Sequence, residues 1–268
     1  MNQDALTTGY EQELREHFEP LPPRLHSEYY HYERLSSDLR PEISFYRSQF
    51  TGQCNRLLEL GCGTSIIASR LAEHGIDVTG IDLCRAMLSF RPQPIANHTV
   101  QMDMCSLGFL PCFDGALIAH NTLNLLADEA KIRQCLRELK HVLISPGMLV
   151  CHLYAADLKD TGAIGGKRLQ FHIFDLPTGE KIVKESITNL SADRDVLQIE
   201  QRYKYRNFLL PQLNRNYRQA LELASFSGSK WLTILSESGF VPVASTSKFS
   251  RLQPDSTSTL IVTARACN

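Results

Sequence analysis

The chain has 268 residues, of which 43% are hydrophobic and 21% are charged, and its formal net charge is −1. This length suits one large domain or a core domain with an insertion, and the apolar share is enough to build a substantial core. The near-neutral balance gives no reason to expect electrostatic capture of nucleic acid or of an anionic membrane.

The cysteines and the apolar runs indicate the cellular compartment in which the protein works. Eight cysteines occur, at positions 54, 62, 84, 105, 112, 135, 151 and 267, and no two form a C-x-x-C pair. We therefore expect buried thiols in a reducing compartment and no metal site. The N-terminus is polar, and no apolar run approaches the roughly 18 residues of a spanning helix. We expect a soluble, cytoplasmic protein.

The first fifty residues predict helices. Residues 4–18 form a short amphipathic pattern, and a tyrosine-rich helical pattern covers 25–50 with a break at Pro41. We assign 1–50 to an N-terminal helical cap.

From residue 51 onwards, short apolar strands alternate with helices. Strands are predicted over 56–60, 77–81, 98–102, 115–119 and 148–153, and helices over 64–74, 83–90 and 128–143. Alternation of this kind predicts parallel β-α-β units in a doubly wound α/β sheet. We assign 51–160 to this core.

The alternation ends after about residue 160, where Gly162–Gly166 predicts a flexible joint. Segments 168–174, 181–190 and 195–208 alternate apolar and polar residues, which predicts an antiparallel β-meander. We assign 161–212 to this insert, a lid or a dimer contact. Residues 214–239 predict helix in two pieces, and 240–245 and 257–264 predict a closing pair of strands, so that 213–268 complete the core.

The stretch LLELGCGTS, residues 57–65, combines the end of a strand with a glycine turn. Glycine lets the backbone pass close to a ligand, and the following helix presents unpaired N–H groups to it. Asp82 ends the next strand, where a carboxylate is placed to accept hydrogen bonds from two ribose hydroxyls. The spacing of Glu59, Gly61, Gly63 and Asp82 therefore predicts a site for a nucleoside-containing cofactor.

Two cofactors compete for this site. A dinucleotide turn has the pattern G-x-G-x-x-G, and Ile66 stands at its third glycine. A pyrophosphate also gains little from an acid such as Glu59. S-adenosylmethionine carries a sulfonium and an ammonium group, so the acid favours a methyl donor over a nicotinamide cofactor.

The sequence resembles the class I S-adenosylmethionine-dependent methyltransferases, of the methyltransferase domain 11/25 type. The likeness covers about 55–155 and 231–265, through LLELGCGTSIIASRLAEHGIDVTGIDLCRAML, HTVQMDMCSLGF, FDGALIAHNTLNLL, HVLISPGMLV and WLTILSESGFVPV. It implies a seven-stranded, mostly parallel Rossmann-like sheet, with S-adenosylhomocysteine as the product of the reaction. The chain departs from the family at Ser65, where a third glycine is frequent, and at Met148 after Pro146-Gly147.

The resemblance also implies the cofactor site. Glu59, Gly61 and Gly63 would hold the methionine and ribose side, Asp82 the ribose and Asp103 the adenine. The full predicted set is Glu59, Gly61, Cys62, Gly63, Asp82, Leu83, Met87, Asp103, Met104 and His120.

His120 follows the fourth strand and is the candidate general base, with packing on the adenosine as the alternative. Aromatic and amide side chains near the same edge are candidates for the acceptor pocket. They are Tyr29, Tyr32, Asn121, Asn124, Tyr154, Tyr217 and Arg218, with Tyr10, Tyr30, His31 and His152 as further candidates.

The absence of two known motifs narrows the class of molecule that can accept the methyl group. AHNTL stands where enzymes that methylate DNA bases carry a D/N-P-P-Y/F stretch, and amides stand where catechol-type enzymes need acids. We therefore expect methyl transfer to a nitrogen or oxygen of a small molecule, in natural product biosynthesis by analogy, and a possible homodimer through the insert. The alternatives are a cofactor-binding regulatory or partner protein without turnover, and a nicotinamide-dependent oxidoreductase.

Overall fold

The computed structural model describes residues 17–90, 98–156, 168–190, 195–250 and 258–267, which form two sheets and six helices. The helices are α1 (Pro23–Leu35), α2 (Arg40–Phe50), α3 (Ile66–Ala72), α4 (Arg85–Ser89), α5 (Glu129–Val142) and α6 (Gly228–Glu237). None of these described helices combines the length and the apolar character that crossing a membrane would require.

The larger sheet has seven strands in the order β11-β12-β6-β5-β2-β3-β4. They are β2 (Arg56–Leu60), β3 (Asp77–Asp82), β4 (Thr99–Gln101), β5 (Phe113–Ile118), β6 (Leu143–Tyr154), β11 (Phe240–Thr246) and β12 (Thr259–Ala266). Neighbours β4, β3, β2, β5 and β6 pair in parallel, while β12 runs antiparallel to both β6 and β11. The predicted mostly parallel, doubly wound sheet is confirmed. Its strand order reverses between β2 and β5, the place where ligands bind in open α/β sheets.

Helices cover both faces of this sheet. On one face, α5 and α6 pack their apolar side chains, including Ile132, Leu136 and Trp231, in one cluster. Asp128 starts α5 by accepting hydrogen bonds from the main-chain N–H groups of Ala130 and Lys131. On the other face, α2 and α3 pack a second cluster that includes Tyr46, Phe50 and Leu71.

The smaller sheet has five strands in the order β1-β10-β9-β8-β7. They are β1 (Glu19–Pro20), β7 (Arg168–Asp175), β8 (Lys181–Leu190), β9 (Val196–Arg206) and β10 (Arg215–Ala224). Strands β7, β8 and β9 form the predicted antiparallel meander, β10 adds a fourth antiparallel strand beside β9, and β1 pairs in parallel with β10. Helix α1 packs on one face through Tyr29, which lies in a cluster with Phe174, Ile182 and Tyr203. The helical cap thus joins the insert to the core.

The prediction of helix over the first part of 214–239 was wrong. Residues 215–224 form β10, paired with β9 from Arg215 opposite Tyr205 to Ala224 opposite Val196. The composition of RNYRQALELA favours helix, but ten cross-strand pairs override a propensity of a few tenths of a kcal/mol per residue. Helix is present only in the second piece, as α6. The predicted helix over 4–18, Tyr10 and the joint at 162–166 lie outside or almost outside the described residues.

One buried side chain joins the core to the insert. Asn124 lies in a 3-10 turn (Leu123–Leu126) after β5, and it is fully buried. Its amide nitrogen donates to the carbonyl oxygens of Tyr154 (2.9 Å) and Ala224 (2.7 Å), and its oxygen accepts from the N–H of Tyr154 (3.2 Å). The indole of Trp231 donates to the same Tyr154 carbonyl, at 2.9 Å. The ends of β6 and β10 are therefore tied together by one amide.

We expect Asn124→Ala to lower the free energy of unfolding by about 2–3 kcal/mol, because it leaves buried main-chain groups without partners. Urea denaturation followed by circular dichroism measures the change. Asn55→Ala, at an exposed asparagine, is the matched control and should change stability by less than about 0.5 kcal/mol. Equal effects of the two substitutions would contradict the structural role of Asn124.

Candidate functional site

The turn after β2 requires glycine at its first position. Gly61 has φ +67°, and a Cβ placed there would lie 2.2 Å from Cγ2 of Thr122. Gly63 has φ +54°, and its Cβ would approach the ring of Tyr30 at 3.2 Å. At Gly61 the backbone therefore comes closer to a neighbouring residue than any other residue type would allow, and at Gly63 a side chain would require Tyr30 to shift.

Asp82 holds this turn in place. Its Oδ2 accepts from the N–H of Gly63 at 2.9 Å, and its Oδ1 accepts from the N–H of Cys84 at 2.7 Å. Burial raises the pKa of Asp82, and the two main-chain hydrogen bonds oppose that rise. The predicted ribose acid thus also fastens the ends of β2 and β3 to each other.

Ser65 adopts the backbone conformation that a glycine would favour. Its φ is 61° and its ψ is 28°, in the left-handed region, immediately before α3. The departure from the family at this position therefore leaves the shape of the turn intact and places a non-glycine residue in a disfavoured conformation.

Glu59 is an acid buried beside the turn. It is 2% exposed, and its Oε2 has no hydrogen-bond partner. Burial raises the pKa of Glu59 to about 8, with a hydrogen bond from the backbone of Ala68 acting in the opposite direction. An unpaired buried carboxyl costs free energy in the absence of a ligand, and a ligand that brings N–H donors and positive charge would remove that cost.

Helix α1 covers the turn. Nδ1 of His31 lies 2.9 Å from the hydroxyl of Thr64. The cavity that remains has a volume of only about 10 Å³, and Tyr30 and Arg34 from α1 line it together with Glu59, Gly61, Cys62, Ile66, Ile67, Ala119 and His120. Side chains of the cap thus fill the space beside Glu59, and a cofactor needs them to move.

His120 is not free to act as a base in this arrangement. Arg34 Nη2 lies 2.7 Å from its Nε2, and since a guanidinium only donates, Nε2 accepts. Burial lowers the pKa of His120 to about 3, although the neighbouring Glu42 raises it. His120 and Asn121 both have left-handed backbones, with φ of 51° and 59°, a strained pair of the kind found at functional sites. The role of His120 as a base remains a prediction that depends on Arg34 moving.

Sequence reasoning missed the partners of His120. Glu42 on α2 accepts from Arg34 (2.9 Å) and from the hydroxyl of Tyr46 (2.9 Å), and its Oε1 lies 3.2 Å from Nε2 of His120. Burial alone would raise the pKa of Glu42, but His152, His120 and Arg34 outweigh it and lower the pKa to about 2. No local motif marks Glu42, because its role depends on how the cap packs on the sheet.

The predicted adenine side is more open. Leu83 is 66% exposed at the end of β3, as expected for a side chain that a flat ring would cover. Asp103 is exposed and caps a turn by accepting from the N–H of Cys105 at 2.8 Å. Met87 is buried, Met104 packs against the core, and Cys62 is a buried thiol whose pKa is raised by burial.

The structure brings only some of the predicted acceptor residues together. Tyr29, Tyr32 and Tyr217 pack in the cluster under α1, and Tyr32 also contacts Phe90 edge-on. Arg218 is exposed on the opposite face of the small sheet from Tyr217. Asn124 forms hydrogen bonds with the main chain of Tyr154. Asn121 and His152 each keep an unused group, since Oδ1 of Asn121 and Nδ1 of His152 are buried without a hydrogen-bond partner.

A second cavity lies on the other flank of α1. Its volume is about 560 Å³, within the range of small-molecule pockets. Glu33 of α1 lines it, next in the chain to Arg34, which lines the cofactor cavity. The other lining residues come from the small sheet: Gln170, Phe171, His172, Lys184, Ser186, Thr188, Ile199 and Gln201. Lys184 donates to both oxygens of Glu33, each at 2.8 Å.

Comparison with known proteins identifies the core. Residues 58–151 match the family model described as a methyltransferase domain. Residues 58–151 therefore form a methyltransferase domain, and they are similar to class I, S-adenosylmethionine-dependent methyltransferases. The matched residues include the glycine turn, Asp82 and His120, so the resemblance found in the sequence is confirmed for this domain.

Two curated bacterial proteins share the methyltransferase domain. YqeM of Bacillus subtilis (strain 168), provisionally named a methyltransferase, is 36% identical over 106 residues, which are 38% of this chain and 43% of that protein. A similarly named protein of Geobacillus sp. (strain WCH70) is 30% identical over 129 residues, 46% of this chain and 51% of its own length. The chain thus matches about half the length of these relatives.

Solved structures share the fold over most of the chain. An S-adenosylmethionine-dependent methyltransferase from Clostridium acetobutylicum superposes with a TM-score of 0.71 at 13% identity, covering 88% of this chain and 94% of that one. CalS10, an amino pentose methyltransferase from Micromonospora echinaspora, gives 0.68 at 20% identity, with coverage of 93% and 100%. The sugar N-methyltransferase KedS8 from a Streptoalloteichus species gives 0.68 at 20% identity, with coverage of 85% and 88%. At these identities the likeness shows the fold.

The raised pKa of Glu59 predicts a pH-dependent gain in stability for Glu59→Gln. The unfolded carboxyl has a pKa of about 4.3, so the folded wild type holds an extra proton between that value and about 8. Its free energy of unfolding falls as pH rises through this window. Glutamine stays neutral, so the variant should exceed wild type by about 2–4 kcal/mol at pH 8 and match it near pH 4.

Urea denaturation of both proteins between pH 4 and 8 gives this difference. The other titrating groups contribute equally to the two curves and cancel in the subtraction. A difference that does not change with pH would show that Glu59 is ionised in the folded, cofactor-free chain.

Proposed function

We propose that this chain transfers a methyl group from S-adenosylmethionine to a nitrogen or oxygen of a small polar molecule. The proposal depends most on one observation: the buried, unpaired Oε2 of Glu59 beside a turn that requires glycine at position 61. The cofactor fits this place, because its ammonium group supplies both the N–H donors and the positive charge that the carboxyl lacks.

Other residues around the cavity fit the remaining parts of the cofactor. Arg34 carries a guanidinium into the cavity, where the carboxylate of the methionine moiety would pair with it bidentately. Asp82 would accept from the ribose, and Leu83 would cover the adenine. The cavity therefore offers the carboxyl of Glu59 to the ammonium of the cofactor and the guanidinium of Arg34 to its carboxylate.

When bound, the cofactor supplies an activated methyl group on a sulfonium, so the protein's task is positioning and exclusion of water. Helix α1 performs both, since it closes the cavity with Tyr30 and Arg34. Asn121 lies at the end of β5, and its unpaired amide oxygen would accept from an amine or hydroxyl of the acceptor. Positioning alone can lower such a barrier by about 7–11 kcal/mol.

The larger cavity is our candidate for acceptor binding. Seven of its nine lining side chains are polar or charged, which suits a ligand rich in hydroxyl or amino groups. CalS10 and KedS8 share the fold and act, by their names, on an amino pentose and a sugar nitrogen. We propose an acceptor of comparable polarity, and natural product biosynthesis as the setting.

One observation favours a second function, cofactor binding without transfer. The lone pair of His120 is used by Arg34, so no imidazole at the cavity is free to take a proton. A protein of this kind would bind the cofactor tightly and show no turnover with any amine or hydroxyl acceptor.

Calorimetric titration at pH 7 tests the cofactor site. We expect micromolar binding of S-adenosylmethionine and S-adenosylhomocysteine, and none of NAD. Because Glu59 is mostly protonated at pH 7 and must ionise to pair with the ammonium, binding should release about one proton. Titrations in two buffers of different ionisation enthalpy measure this number. Glu59→Gln should bind at least about tenfold more weakly and release no proton.

Asp82→Ala should abolish binding, since it removes the ribose acceptor and the support of the turn. Asp114→Ala is the matched control, because Asp114 also accepts from two main-chain N–H groups, those of Asn55 and Arg56, at the opposite edge of the sheet. Binding of S-adenosylmethionine that survives in Asp82→Ala, or is lost equally in the control, would contradict the assignment.

We also propose a homodimer through the insert. Strand β7 lies at the edge of the small sheet, and Leu169, Phe171 and Ile173 on it are each more than half exposed. An edge strand with an apolar face is suited to pairing with a second copy. We expect light scattering to report a dimer for wild type and a monomer for Phe171→Asp. Val243→Asp, on the edge strand of the large sheet, should leave the dimer unchanged, and a monomeric wild type at all concentrations would overturn the proposal.

A further inference from the structure

Three side chains that are far apart in the chain meet under the cap. Glu42 comes from α2, His120 follows β5, and His152 lies in β6 on the face that α2 covers. Each offers one ligand atom, and the three atoms lie within 4.8 Å of one another. Oε1 of Glu42 lies 3.2 Å from Nε2 of His120 and 3.9 Å from Nδ1 of His152.

This set has the chemistry of a transition-metal site. Two imidazole nitrogens and one carboxylate oxygen suit Zn²⁺, Fe²⁺ or Co²⁺ better than Mg²⁺ or Ca²⁺, which prefer oxygen ligands alone. Ligand atoms at these separations can all reach one ion with bonds of about 2.0–2.2 Å after small side-chain adjustments. The hydroxyl of Tyr46 donates to Glu42 and orients its carboxylate, as outer partners do around metal ligands.

His152 gives an independent indication. Its Nδ1 is buried and has no hydrogen-bond partner, and 3.9 Å is too long for a hydrogen bond to Glu42. A buried nitrogen without a partner is rare in folded proteins. A cation between His152, His120 and Glu42 would give this nitrogen a partner without any change in the backbone.

Arg34 stands in the way of such an ion in the present structure. Its Nη2 lies 2.7 Å from Nε2 of His120 and 2.9 Å from Oε2 of Glu42. The guanidinium thus supplies the positive charge that the carboxylate needs, from a side chain that also lines the cofactor cavity. A metal ion and Arg34 exclude each other here, both sterically and by charge.

We propose that Glu42, His120 and His152 form a binding site for one divalent transition-metal ion, and that Arg34 occupies the site until a carboxylate in the cofactor cavity draws it away. The second half rests on the proposed function, because the carboxylate is that of the cofactor. Three protein ligands leave a fourth position open, as in catalytic zinc sites. That position opens where Arg34 now lies, toward the cofactor cavity, and an oxygen or nitrogen of the acceptor can take it.

Cobalt is the probe, because Co²⁺ bound by nitrogen and oxygen absorbs in the visible range, whereas thiolate ligation adds a band in the near ultraviolet. The full-length chain is titrated with Co²⁺ at pH 7.5 as wild type, Arg34→Gln, Arg34→Gln/His152→Ala and Arg34→Gln/Glu42→Gln. We expect one equivalent to bind Arg34→Gln at least about tenfold more tightly than wild type, since a neighbouring positive charge is removed. Each double variant should lose the visible bands and at least about a hundredfold in affinity.

His98→Ala is the matched control, because His98 is exposed and pairs with Asp77 away from the cluster; it should leave the titration unchanged. Three outcomes would overturn the site. They are the failure of Arg34→Gln to bind one equivalent of Co²⁺, Co²⁺ binding that survives His152→Ala, and a dominant thiolate band. If Arg34→Gln does not fold, the titration is made on wild type and on the single variant His152→Ala. We then expect wild type to bind one equivalent of Co²⁺ weakly and His152→Ala to bind none. Absence of Co²⁺ binding to wild type would overturn the proposal.

A second arm adds S-adenosylhomocysteine to wild type. Tightening of Co²⁺ binding by the nucleoside supports the displacement of Arg34 by its carboxylate. An unchanged Co²⁺ affinity in a sample that calorimetry shows to bind the nucleoside overturns that half and leaves the metal site standing. Because metal binding is read from spectra without turnover, its outcome is separate from that of the methyl-transfer proposal.

Discussion

The arrangement of this protein depends on how a layer of buried charges is compensated between the cap and the large sheet. Glu42 and Glu59 are buried in that layer, and Arg34 enters it with a side chain that is 22% exposed. His152, His120 and Arg34 together lower the pKa of Glu42 to about 2, whereas Glu59 holds a proton because burial raises its pKa to about 8. Two carboxyls of the same layer are therefore in different protonation states at neutral pH, because only one of them has basic side chains beside it.

The fold could be predicted from the sequence where the pattern is local. Strands β2, β3, β5 and β6 lie in short apolar runs, Asp128 marks the start of α5, and Gly75 follows the end of α3 with a φ of 82°. Strand β10 could not be predicted, because its residues favour helix when taken alone and form a strand only when β9 offers ten paired positions. The error is physical: local propensity is a weak term, and pairing within a sheet is a tertiary one.

The site divides in the same way. Glu59, Gly61, Gly63 and Asp82 are close in sequence or end neighbouring strands, so a spacing rule finds them. Arg34, Glu42, Tyr46 and His152 meet only because α1 and α2 fold back over the sheet, and no spacing rule brings residues 34, 42 and 152 together. Asn124 shows the opposite case. Its position after β5 suggested a contact with substrate, but all its hydrogen-bonding groups in the structure serve to join β6 to β10. Position near a sheet edge is therefore insufficient evidence for a ligand contact unless the side chain keeps an unused polar atom, as Asn121 and Glu59 do.

Buried polar atoms without hydrogen-bond partners destabilise the cofactor-free site, and they therefore contribute to the affinity of a ligand that pairs with them. Glu59 Oε2, Asn121 Oδ1 and His152 Nδ1 are buried without a hydrogen-bond partner, and each costs free energy that folding elsewhere offsets. A ligand that supplies donors or a cation recovers this free energy on binding, so part of its affinity comes from relief of the protein's own unpaired groups. The same reasoning limits what can bind. An anionic group such as a pyrophosphate beside Glu59 would oppose ionisation of that carboxyl and gain no charge pairing from it, whereas an ammonium favours its ionisation and pairs with it. A preference for a cationic cofactor thus follows from the burial of one carboxyl, that of Glu59. It requires no contact with the rest of the nucleoside.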